Sequence, residues 1–167
     1  MHSDEYDPWV TLTREEALAG LERAGQLVEQ RVTPGGTFEG WDGRDVLCHL
    51  GAYARLVGAV LRGEAEGRRA TSAELYGREL TGEELAIVGL DAVNEALRRE
   101  YAALAYGEAL AFWRAMHEQV VAQAARLTDD QLAAPGPSYP MNWSRPHLAD
   151  VVTALITHYE GHMEAGH

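Results

Sequence analysis

Two histidines near the C-terminal end of the chain, His158 and His162, stand four residues apart. On a helix that spacing stacks them one turn apart on one face, where two imidazoles can grip a single ion. A helical wheel puts both beside Val151 and Leu155 at the edge of an apolar stripe, away from Thr153, Thr157 and Glu160. Imidazoles facing a core need partners, because a buried polar group without one is costly. A third histidine, His49, lies within another apolar stripe, between Val46 and Tyr53. Three nitrogen donors on inward faces are the pattern of an open metal site, in which a fourth position stays free for water or a substrate atom. A purely structural ion would normally be closed by a fourth cysteine or histidine. Taken singly, each of the three could instead be a core histidine donating to a nearby carbonyl.

Other residues bear on the same chemistry. His117 also points inward from its helix and is a candidate fourth ligand or proton acceptor, or else a satisfied core residue. Asp45, one turn before His49, either orients that imidazole from behind or serves the start of its helix. His117 and Asp45 are the candidates for a catalytic acid or base. Cys48 leaves the helix about 100° from His49 and reads as a packed residue, not a nucleophile. Trp41, Tyr53 and Trp143 are the candidates for lining a pocket around a cofactor, Trp41 and Trp143 because they sit at helix starts or in loops. Core packing is the alternative for each of them and for Trp113. His2, His147 and His167 carry no usable signal.

The elements that must position these side chains follow from periodicity. A first helix should begin after Thr13, which with Glu16 forms a capping-box pattern, and should stop at Pro34–Gly36. A second starts at Trp41–Asp42 with Asp42 as its cap, carries Val46, His49, Leu50, Tyr53, Leu56, Val57, Val60 and Leu61 on one face and Arg44 and Arg55 on the other, and ends at Gly63. Residues from about Glu64 to Leu90 are the least periodic, with a weak helical stretch at Ser72–Leu80. A short helix is expected from Asp91 to Tyr101, and a third long helix from about Gly107 to Leu127. The break at Ala134–Pro140 precedes a fourth helix that starts near Ser144, with Pro146 in its first turn. No stretch alternates long enough to be a strand, so the fold expected is an all-α four-helix bundle, one domain over residues 1–167.

Topology follows from the connections. Helices one and two, joined by a short connection, are expected to be antiparallel neighbours. A helix of about 20 residues is roughly 30 Å long, and about ten extended residues span that distance. The segment between helices two and three can therefore cross the bundle and return, so those two should run parallel in an up-down-down-up order with one long crossover. Helices two and four are then antiparallel. That brings His49, about two turns into its helix, level with His158 and His162 near the end of theirs.

Composition narrows the partners. Fourteen Lys plus Arg against 26 Asp plus Glu give a formal net charge of -12. Such a surface repels phosphate backbones and anionic headgroups, so neither nucleic acid nor a membrane is an expected partner. A small-molecule substrate is expected, and a homodimer is compatible with the composition. One cysteine excludes an internal disulfide and suits a reducing compartment. The acidic, polar first residues do not read as a secretory signal, so the expected location is the cytoplasm.

Two segments resemble a known family. W-D-G-R-D-V-L-C-H-L from Trp41 to Leu50 is similar to the Trp-x-x-x-Asp-x-x-x-His opening of the second helix in the DinB/YfiT superfamily. L-x-x-H-Y-E-G-H from Leu155 to His162 resembles that superfamily's last-helix His-x-x-x-His. The stretch from Asn94 through EALAFWRAMHEQVVAQAARLTDDQL is similar in pattern to the middle of its members, among them relatives of mycothiol-dependent maleylpyruvate isomerase and of bacillithiol transferases. The resemblance implies an up-down-down-up bundle with a three-histidine site for zinc, nickel or a similar ion. It assigns the ligands to His49, His158 and His162. It also implies a thiol-dependent S-transferase or isomerase, in which the metal presents a low-molecular-weight thiol cosubstrate to a small electrophile. A non-catalytic metal-binding stress-response protein and a metal-water hydrolase are the alternatives.

Overall fold

The computed structural model describes residues 12–38, 40–79, 100–135 and 147–165. Helix α1 spans Arg14–Arg31, and the capping box forms as the sequence predicts: Glu16 donates its N–H to the Thr13 hydroxyl at 3.2 Å, and the Glu16 carboxylate accepts from Thr13 N–H at 3.2 Å. Two residues on each side of a turn, Thr37–Phe38 (β1) and Trp41–Asp42 (β2), then pair antiparallel. This ladder departs from the expectation of no strand. It is too short to show an alternating pattern, and it rests on Gly40, whose φ of 86° suits glycine.

Helix α2 spans Gly43–Glu66, capped by Asp42, which accepts the Asp45 N–H at 2.8 Å. The helix runs past Gly63 and ends where Gly67 turns left-handed, because a glycine inside a helix need not stop it. Seventeen of its 24 residues are buried, which makes α2 the core helix of the bundle and not an amphipathic surface one. Helix α3, Ser72–Tyr76, falls within the weak helical stretch and is cut short by left-handed Gly77. Of the short helix expected at residues 91–101, all but the last two residues lie outside the described ones. Helix α4 spans Tyr106–Arg126, α5 Asp129–Ala133 and α6 Leu148–Ala165. The expected start of the last helix at Ser144–Pro146 lies outside the described residues.

Helix directions can be read from paired contacts. Gly51 faces Phe112 and Trp113, and Gly58 faces Gln119 and Val120, so α2 and α4 run parallel. Gly25 faces His117 while Glu29 pairs with Arg114, so α1 and α4 run antiparallel. His49 meets His158, and Trp41 meets His162, so α2 and α6 run antiparallel. The order is up-down-down-up, as the connection lengths predict. One expectation fails: α1 packs on α6 and α4, α2 packs on α4 and α6, and α1 and α2 face each other across the bundle. Residues 32–42, with their small ladder, bridge that diagonal, since about eleven residues can reach well over 30 Å.

The two arginines assigned to the polar face of α2 hold the crossover. Arg44 donates to the Ala102 carbonyl at 2.9 Å, and Arg55 donates to the Tyr76 carbonyl at 2.8 Å while its guanidinium lies 5.8 Å from the Tyr101 ring centre. Among the described residues no helix is long and apolar enough to cross a membrane.

Candidate metal centre

The three histidines arrive from two helices. The Asp42 cap fixes the start of α2, and about two turns later His49 emerges toward α6, 8% exposed. From α6, His158 and His162 project one turn apart toward the same point. The His158 and His49 Nε2 atoms approach to 2.8 Å. The ring centres form a nearly equilateral triangle, with separations of 4.8, 4.9 and 4.7 Å. One nitrogen from each ring lies within 4.8 Å of the other two. Nitrogens bound to a single zinc ion at about 2.0–2.1 Å sit roughly 3.0–3.4 Å apart. The group can therefore hold a metal ion with small movements of the rings.

Aromatic side chains fix these imidazoles. Tyr53 stacks on His158 with centres 4.2 Å apart and planes at 19°. Trp41 meets His49 edge-on at 5.1 Å and stacks against His162 at 6.1 Å. The β1–β2 turn thus delivers Trp41 to the histidine cluster, and Trp41 and Tyr53 both touch its rings. The third expected pocket residue, Trp143, lies outside the described residues.

Electrostatics keep His49 and His158 uncharged. Burial, and then the neighbouring His162, lower the His49 pKa to about 4. Burial, with His49 and His162 behind it, lowers that of His158 to about 3. Both rings are neutral at physiological pH, the form that binds metals. Cys48 is buried beside them in sequence but points elsewhere, and desolvation raises its thiol to about 11, which leaves it inert. Asp45 gives its N–H to the cap, and its carboxylate lies 3.4 Å from Arg44.

His117 stands apart from this group. Its Nδ1 is 3.2 Å from the Tyr159 hydroxyl, and its ring stacks on Trp113 at 5.3 Å and 20°. Burial lowers its pKa, so the ring is neutral, and burial pushes the Tyr159 hydroxyl well up, so it stays protonated. His117 also lines a cleft of about 310 Å³ between α1 and α4, edged by Glu22, Gln26 and Glu29 on one side and Arg114 and Glu118 on the other. The partnership of His117, Tyr159 and Gly25 was not readable from the sequence. A glycine at position 25 inside a helical pattern is the sole hint.

Residues 8–156 match the family described as the mycothiol maleylpyruvate isomerase N-terminal domain. The match takes in His49 and stops two residues before His158, so the histidine cluster is an observation separate from it. Two crystal structures are similar in fold. One is an uncharacterised protein from Escherichia coli UTI89, 14% identical, with a TM-score of 0.59 and 91% of each chain covered. The other is the colibactin self-resistance protein ClbS in complex with a dsDNA, 19% identical, with a TM-score of 0.61 over 93% of this chain and 96% of that one. No curated protein matches the sequence.

Proposed function

The chain belongs to the mycothiol maleylpyruvate isomerase N-terminal domain family, within the DinB/YfiT-like superfamily, and on that premise we propose that it is a divalent-metal-dependent thiol S-transferase or isomerase acting on a small electrophile. The observation that carries this reading is the convergence of His49, His158 and His162, with the His49 and His158 imidazoles held neutral by burial. Three imidazoles suit zinc or nickel. When bound, such an ion would lower the pKa of a thiol or water at its remaining position and so provide a nucleophile at neutral pH.

The chain's own residues do the rest. Three uncharged donors leave the full double charge available to attract an anionic ligand, and a thiolate is a softer partner than a carboxylate. Tyr53 and Trp41 hold the rings by stacking and keep water from two sides of the cluster, which strengthens that attraction. A thiol cosubstrate brings its own nucleophile, so no general base is required. His117, bonded to Tyr159, is not proposed as one.

Elemental analysis of purified protein, followed by thiol-transfer assays on the metal-loaded form, tests the reading. We expect one zinc or nickel ion per chain. In cobalt-substituted protein, thiolate coordination should produce a charge-transfer band that water coordination lacks. If cysteine, bacillithiol, mycothiol and glutathione all fail to produce it, the thiol is abandoned in favour of metal-water hydrolysis or a non-catalytic stress-response role.

The ClbS–dsDNA complex bears on the expectation that nucleic acid is not a partner, because the same fold serves there. The net charge of -12 opposes phosphate contact, so we propose that this chain does not bind DNA. Retention of a labelled duplex by the protein at low salt would reverse that.

A further inference from the structure

Helix α6 presents two adjacent faces within one turn. His158 and His162 turn toward α2, while Tyr159 turns toward α4 and is fully buried. Its hydroxyl meets His117 Nδ1 at 3.2 Å, and its ring centre lies 6.0 Å from that of Trp113. His117 in turn is held flat against Trp113 and against the backbone of α1 at Gly25, where a Cβ would come within 2.5 Å of the imidazole Nε2.

We infer that His117 is a positioning residue for the metal centre: through its hydrogen bond to Tyr159 it sets the rotation of α6 that aims His158 and His162 at His49. On the same helix Val152, Leu155 and Met163 are buried, and on the α2 side His158 meets His49 at 2.8 Å. Apolar burial has no preferred direction of its own, although the close packing that goes with it also opposes turning. A hydrogen bond has a preferred line. With Cα atoms about 2.3 Å from the helix axis and the imidazole beyond them, a turn of roughly 10° moves a ligating nitrogen by about 1 Å. Functional constellations tolerate displacements of only about 0.5 Å. The tether therefore acts at the scale on which a metal site is won or lost.

Gly25 belongs to the same device. Glycine inside a helix costs stability relative to alanine, yet here it gives His117 the room to reach Tyr159. Gly25→Ala should improve α1 as a helix while displacing the imidazole.

The inference rests on the metal reading, so cobalt binding by the wild-type protein is measured first. No uptake there overturns that reading, whereas normal uptake with unaffected variants overturns only this one. Tyr159→Phe, which removes a single oxygen, and His117→Phe, which keeps the stacking on Trp113, should each weaken cobalt binding about tenfold, the lower end for groups that orient ligands from behind. Both should shift the visible bands of the bound cobalt. His117→Gln, whose amide can still bond the tyrosine hydroxyl, should recover most of the affinity. The double variant should be no weaker than Tyr159→Phe alone, because both changes cut one connection. Should His117→Phe fail to fold, Tyr159→Phe and Gly25→Ala carry the test. Folded Tyr159→Phe and Gly25→Ala proteins with wild-type cobalt affinity and spectrum would overturn the inference, as would a double variant whose loss is the product of the single ones.

Discussion

His158 on α6 and His117, which packs against the adjacent face of that helix at Tyr159, meet different surroundings. His117 faces a hydroxyl, an indole ring and the bare backbone at Gly25. His158 faces the ring of Tyr53 and the Nε2 atom of another imidazole at 2.8 Å. A neutral imidazole has one donor and one acceptor nitrogen. His117 spends its inward nitrogen on a partner from its own chain. His49, His158 and His162 instead bring one nitrogen each to within 4.8 Å of the other two. Burial alone therefore does not mark a histidine as a ligand; what it is buried against does.

The largest effect expected is on metal content. His49→Ala, His158→Ala and His162→Ala should each lower affinity by orders of magnitude while leaving a helical circular dichroism spectrum. Full occupancy in any of them after dialysis against a chelator would dissolve the distinction between the two regions. Trp113→Ala should act on the other quantity. It removes a large side chain that is 1% exposed, and should cost about 3–5 kcal/mol of stability in urea denaturation of the metal-free protein. A loss below about 1 kcal/mol would mean that the region around His117 is not core.

Acid should reveal the ligand rings without any metal. In the folded chain His49 and His158 titrate near 4 and 3, below their ordinary 6.5. Between those values the unfolded chain holds more protons, so stability is full above about pH 6.5 and falls as pH drops through the window. The melting temperature of chelator-treated protein should decline from pH 7 to pH 4, less steeply in His158→Gln. A slope identical in the two proteins counts against desolvation of that ring. The smallest effect expected is that of Cys48→Ser, which should leave metal occupancy unchanged. Loss of metal from the folded variant would make the thiol part of the centre.

The histidine cluster was legible because it rests on strong local rules. A capping residue starts α2, a 3.6-residue period orients His49, and a four-residue spacing pairs His158 with His162. Connection lengths were enough for helix directions. They did not predict which helices touch: α1 and α2 are close in sequence but diagonal in the bundle, because helix neighbours are chosen by close packing and not by loop length. Gly51, where a Cβ would come within 2.5 Å of the Phe112 ring, marks how closely α2 and α4 approach. The role of His117 was undecidable for a related reason. An inward imidazole looks the same in sequence whether a hydroxyl or a metal awaits it.

The parallel pairing of α2 with α4 also has a consequence during synthesis. Helix α2 ends at Glu66, and the helix it packs on most is complete only at Arg126, sixty residues later. At about 5–20 residues per second, the ribosome takes roughly 3–12 seconds to supply it. For that interval the most buried helix of the bundle lacks its main partner, and the nascent chain is prone to aggregate. Slow translation of the crossover would lengthen that exposure.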